Sequence, residues 1–210
     1  MERKKNQPWL LVLLASMYFT GVIGLYFPAS RPLFAILTPF NLLFSWGAIF
    51  YFYPKNRLFA SISLFVALAG YIIEVAGVHT GVIFGNYAYG ETLGWKLFDV
   101  PVILSVNWLM LIWATGSVAE SFAKNKTLVV IIGSLFMILL DVFIEPVAMN
   151  YDFWEWAGDT VPKRNYLAWF VISLIFLAAF KISGLQLKNK IATAIYIYQL
   201  IFFIFLYILS

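Results

Sequence analysis

The stretch LVVIIGSLFMILLDVFIEPVA, residues 128–148, is apolar apart from Ser134 until it admits Asp141 and, four residues on, Glu145 followed by Pro146. As an α-helix rising about 1.5 Å per residue it covers about 30 Å, the thickness of a bilayer's hydrocarbon core. Within that core every backbone N–H and C=O must be bonded inside the chain, which a helix achieves. The stretch therefore predicts a transmembrane helix. It also carries two acids at a depth where each costs about 2.5–3.5 kcal/mol to insert, a cost that marks a function or a buried partner. One turn apart, the two carboxyls share a helix face, and Pro146 loosens the helix beside them.

The same criterion is met at about 9–27, 33–53, 58–78, 98–118, 166–183 and 191–209. The expectation is an all-α, polytopic bundle of about seven transmembrane helices forming a single domain, 1–210. Composition agrees: 63% of the 210 residues are hydrophobic, 11% are charged and the mean hydropathy is +0.88, far from a water-soluble domain. The breaks carry turn and charge signals in FPASRP (27–32), YPKNR (53–57), AESFAKNK (119–126) and KISGLQLKNK (181–190). The basic head MERKK precedes an apolar stretch of about 19 residues, beyond the ~7–15 of a signal peptide, so it reads as a retained first span. Of the 14 lysines and arginines, ten fall in the N-terminus and the second, fourth and sixth loops. That bias predicts a cytoplasmic N-terminus and an outside C-terminus.

The chain has no cysteine and one histidine, which leaves no thiolate site and too few imidazoles for a membrane di-iron centre or a bis-histidine haem. There is no glycine fingerprint for a dinucleotide and no phosphate-binding loop. The charge of +4 reflects loop lysines rather than a nucleic-acid partner. The expectation is chemistry without metal or cofactor, run on acids, bases and shape.

The acids point to where. Glu74 lies near the end of the third span, which runs in the same direction as the fifth, so Glu74 and Glu145 reach similar depth with Asp141 one turn deeper. Two carboxyls in one low-dielectric site repel when both are ionised, so one holds a proton and serves as donor while its partner acts as base. Interhelical hydrogen bonding, or pairing with Lys163 or Arg164, is the structural alternative. His79 follows Glu74 by five residues and is either a base or a cap. Asp99, just before Pro101, reads as a helix-capping acid. Asn107 and Trp108, with Thr38, Asn41 and Gln199, line a polar pocket or bond helices together. Trp154 and Trp156 read by default as interfacial anchors, with a lid over a ligand end as the alternative. The two longest and most aromatic loops, IEVAGVHTGVIFGNYAYGETLGW (73–95) and NYDFWEWAGDTVPKRN (150–165), lie on one membrane face.

The run Glu74, Gly77, Thr80, Gly81, Phe84, Gly85, Tyr87, Tyr89, Leu93, Gly94, Pro101 and Trp108 resembles the integral-membrane carotenoid biosynthesis family. That family includes acyclic carotenoid hydratases of the bacterioruberin and myxol type. Asp141, Glu145, Pro146, Trp154, Trp156, Pro162, Asn165, Tyr166 and Trp169 follow in the family's order, so the resemblance covers roughly 57–170. It implies addition of water across the terminal C1′,2′ double bond of an acyclic carotenoid end group, giving a tertiary alcohol through a carbocation and without a cofactor. The catalytic candidates are Glu74, Asp141, Glu145 and His79. Thr80, Tyr87, Tyr89, Asn107, Trp108, Trp154, Trp156 and Asn165 are the substrate-binding candidates. Expected partners are the lipid bilayer, a carotenoid substrate and other carotenoid-pathway enzymes, in the plasma membrane of a prokaryote. Two alternatives stand: a carotenoid end-group cyclase, in which an internal alkene captures the cation, and a seven-helix receptor or transporter. The last span has no lysine, which argues against a retinal Schiff base of the usual kind.

Overall fold

A computed structural model describes residues 8–53 and 56–209. Seven helices run in order: α1 (Pro8–Tyr26), α2 (Arg31–Tyr51), α3 (Arg57–Thr80), α4 (Ile103–Phe122), α5 (Lys126–Asn150), α6 (Lys163–Ile182) and α7 (Lys190–Leu209). All seven are long and apolar enough to cross a membrane. The basic head and the Pro54–Lys55 part of the second loop lie outside the described residues.

α4 is the axis of the bundle. It packs against α2, α3, α5, α6 and α7, while α1 lies outside against α2 and α7. Every residue from Trp108 to Ala119 is buried, whereas outer helices turn Phe19, Ile36, Phe40, Leu64, Ile72 and Ile175 outward, as lipid-facing walls require. α3, α5 and α7 begin alike. Asn56 accepts from Phe59 N at 2.7 Å, Asn125 from Thr127 N at 2.9 Å, and Asn189 from Ile191 N at 2.9 Å, so each asparagine satisfies N–H groups that a helix start leaves unpaired. Pro146 lies inside α5 without ending it.

The expected start of the fourth span at 98 is corrected to 103. Residues 96–101 form a hairpin, β2 (Lys96–Leu97) against β3 (Val100–Pro101), turning at Phe98 and Asp99 with φ of 51° and 61°. A left-handed residue does not cap a right-handed helix in the ordinary way, which uses extended backbone. Asp99 instead lies 3.7 Å from His79 Nε2 on the surface, so the capping assignment fails.

The two aromatic loops meet. β1 (Tyr87–Tyr89), between α3 and α4, pairs antiparallel with β4 (Trp154–Trp156), between α5 and α6, in the register Tyr87 to Trp156 and Tyr89 to Trp154. Gly90 N to Phe153 O at 3.0 Å, Ala157 N to Asn86 O at 2.9 Å and Thr92 Oγ1 to Tyr151 O at 2.8 Å extend the seam. The result is a two-stranded lid across one end of the bundle.

Candidate active site

The lid places its side chains by strand alternation. Tyr87 and Tyr89, two apart, point to one side of β1 while Ala88 is exposed, and Trp154 and Trp156 do the same around exposed Glu155. Both pairs reach acids on the helices that precede them. Tyr87 Oη and Tyr89 Oη each donate to Glu74 Oε2 at 2.7 Å, and Trp108 Nε1 of α4 donates to Glu74 Oε1 at 2.7 Å. Trp154 Nε1 and Trp156 Nε1 donate to Glu145 Oε2 at 2.9 and 2.7 Å. Asn165 Nδ2, in the first turn of α6, donates to Glu145 Oε1 at 2.8 Å and to Asp141 Oδ2 at 3.0 Å.

Glycines make room for this. A Cβ on Gly70, one turn before Glu74, would meet the Trp108 Cγ at 2.8 Å, and one on Gly77 would meet the Phe84 ring at 2.6 Å and the Tyr87 hydroxyl at 3.0 Å. α3 then stops at Gly81, whose φ of 62° forms a left-handed C-cap that returns the chain toward Glu74.

Indole N–H groups only donate, so Glu145 Oε2 is an acceptor twice over. The Tyr87 and Tyr89 phenols are pushed far above the ordinary range, first by burial and then by the Glu74 carboxylate, and so remain neutral donors. Glu74 and Glu145 are thus each held by three hydrogen bonds from neutral groups. Asp141 differs: it is fully buried, it shares the Asn165 nitrogen with Glu145, and its Oδ1 has no hydrogen-bond partner among the described residues. Among those residues no lysine, arginine or histidine forms an ion pair with any of the three acids.

Glu74 and Glu145 both face a cavity of about 390 Å³ beneath the lid, with Tyr87, Tyr89, Trp154, Trp156, Asn107 and Asn165 also in its wall. The volume lies in the lower part of the ~300–1,000 Å³ range of small-molecule sites. Its remaining wall is largely apolar, including Leu25, Phe34, Leu111 and Phe203, and it reaches partly exposed α2 residues such as Leu37 and Phe40. Asp141 stands behind Glu145 and outside the wall. Trp108 also lies outside it and stacks on Trp169, which lines it, at 4.6 Å between ring centroids.

The structure does not bring His79 or Thr80 to this cavity. Both are exposed in the last turn of α3. At about 100° per residue they point well away from Glu74, whereas Gly77 stays near its face. Thr80 Oγ1 donates to Ala76 O at 2.6 Å, and His79 Nε2 lies 3.3 Å from Phe98 O. The default reading of Trp154 and Trp156 as interfacial anchors is also corrected, since both indoles point inward onto Glu145. Which aromatic pair serves which acid is visible only in the fold. The signal was present as the matched spacings Tyr-Ala-Tyr and Trp-Glu-Trp, one after each acid-bearing span.

Fold and site together define a seven-helix membrane protein with an acid-bearing, mostly apolar cavity under an aromatic lid. The chain belongs to the carotenoid biosynthesis protein family, whose sequence profile it matches over residues 37–210. It is 30% identical over 137 residues to bisanhydrobacterioruberin hydratase of Haloarcula japonica. The alignment takes in 60% of this chain and 47% of that protein, so the chain spans about half the length of this curated relative. No solved structure matches the chain.

Proposed function

We infer that the protein is a carotenoid hydratase, adding water to the terminal C1′,2′ double bond of an acyclic carotenoid end group to give a tertiary alcohol. The observation that carries this reading is the pair of carboxylates, Glu74 and Glu145, facing an otherwise largely apolar cavity on neutral donors alone. A carboxylate without a cationic partner retains its field for a positive charge that develops beside it. Family membership and the hydratase relative support the substrate class.

In this reading the Asp141–Glu145 pair carries one proton. The pair delivers it to C2′, the alkene's π electrons form the new C–H bond, and C1′ becomes a tertiary cation. Glu74 and the faces of Tyr87 and Trp154 stabilise that cation. A water lone pair closes the C–O bond, and Glu74 takes the proton released from the oxonium and hands it back through water to the Asp141–Glu145 pair for the next turnover. The sum is one water added, with no change of oxidation state overall. The lid excludes bulk water, which strengthens each electrostatic contact beneath it.

Expression in cells that accumulate an acyclic carotenoid, followed by pigment mass analysis, tests the reading. A product heavier by one water is expected. An isomer of unchanged mass would replace hydration by cyclisation, and unaltered pigment would remove the activity.

A further inference from the structure

The acids occupy only the lid end of the cavity. Away from the lid the wall contains Tyr18 of α1, Asn41 of α2 and Gln199 of α7. Tyr18 Oη lies 3.2 Å from Ser45 Oγ, and Ser45 Oγ donates to Asn41 Oδ1 at 3.4 Å, so these three are joined in a short chain. Gln199 is not. It is 3% exposed, and its Oε1 has no hydrogen-bond partner among the described residues. A buried amide oxygen left unpaired is costly, and the cost grows in a bilayer where no solvent reaches it. A primary amide at mid-membrane whose oxygen bonds none of the described residues, and which faces a cavity, is suited to something that enters the cavity.

We propose that Gln199, with Asn41 in the wall of the same cavity, forms a hydroxyl-binding subsite separate from the carboxylates. The amide offers one acceptor and two donors, and a hydroxyl group both donates and accepts, so one O–H satisfies both faces of the amide. A hydrocarbon end group does not. The hydroxyl has two sources, a water molecule or an alcohol on the ligand itself. The proposal deepens the hydratase reading and rests on it for the ligand class. Its consequence is chemical: the cavity distinguishes ligands by a polar group away from the reacting bond, and a site built to bond a hydroxyl rejects the analogue that lacks it.

The test uses the full-length protein in lipid nanodiscs, as wild type, Gln199→Met and Asn41→Leu. Methionine keeps the unbranched shape of glutamine, and the Asn41 variant probes the subsite from a second helix. Binding of an acyclic carotenoid hydrocarbon, and of the same polyene bearing one tertiary hydroxyl, is followed by quenching of tryptophan fluorescence, and turnover is followed by pigment mass. If the ligand's alcohol occupies the subsite, wild type binds the alcohol at least about tenfold more tightly and each variant loses that preference. If water occupies it, wild type binds both polyenes alike, and the variants lose at least about tenfold in kcat with KM unchanged. Variants matching wild type in both preference and kcat overturn the subsite. Should wild type turn over neither polyene, the hydratase reading fails alone: a hydroxyl preference abolished in Gln199→Met still supports the subsite, and equal binding of both polyenes by wild type overturns it.

Discussion

The protein buries carboxylates at both ends of its bundle and treats them in opposite ways. At the end away from the lid, Glu120 of α4 is bonded to Lys181 of α6 and accepts from Leu187 N at 3.1 Å and Lys188 N at 2.6 Å. The ammonium cancels its charge, and the backbone bonds tie down the connection between α6 and α7. At the lid end, Glu74 and Glu145 receive as many hydrogen bonds but no cation. A carboxylate neutralised by lysine is a fastener. One held by phenols, indoles and an amide keeps a field that a ligand can feel. Burial alone therefore does not separate the fastening acid from the acids proposed for chemistry in this chain; the charge of the partner does.

The contrast can be broken from either end. Glu74→Gln and, separately, Glu145→Gln should leave an inserted, folded protein whose hydration rate falls by about 10²–10⁴-fold, the usual worth of a general acid or base. Turnover by both variants at the wild-type rate, measured by pigment mass, would end the assignment of these acids to chemistry. Lys181→Met should act the other way, lowering stability by about 3–5 kcal/mol through the unpaired Glu120 charge. Activity per folded molecule should be unchanged, and thermal unfolding in detergent alongside pigment assays checks both halves. Trp156→Phe removes one donor to Glu145 and retains an aromatic ring, for an expected loss of about tenfold in rate, equivalent to about 1.4 kcal/mol. His79→Gln, on the exposed end of α3, should leave activity within about twofold, because a surface substitution remote from the cavity changes little.

The bundle was legible because apolar length is a strong signal: all seven spans were expected, and most ends moved by only a few residues. The fourth start moved furthest because Phe98 and Asp99 adopt left-handed backbone, which an acid-then-proline pattern does not announce. The convergence of Glu74, Asp141 and Glu145 followed from span direction and helical spacing. Their partners did not. β1 and β4 are three residues each, too short for period-two patterning to stand out, and they pair across more than sixty residues of sequence. The asparagine-then-basic pattern at the starts of α3, α5 and α7 reads as a loop signal, and the structure adds that each asparagine caps the helix it precedes.

The pairing of Tyr87 with Trp156 and Tyr89 with Trp154 has a consequence for how the site comes into being. Strand side chains alternate, so a slip of one residue would turn these four rings out toward water and leave Ala88 and Glu155 facing the cavity. Glu74 and Glu145 would lose four of their six donors together, keeping only Trp108 and Asn165. The lid cannot be half assembled: the two carboxylates, on helices far apart in the chain, gain their lid donors in a single event or keep one helix donor each.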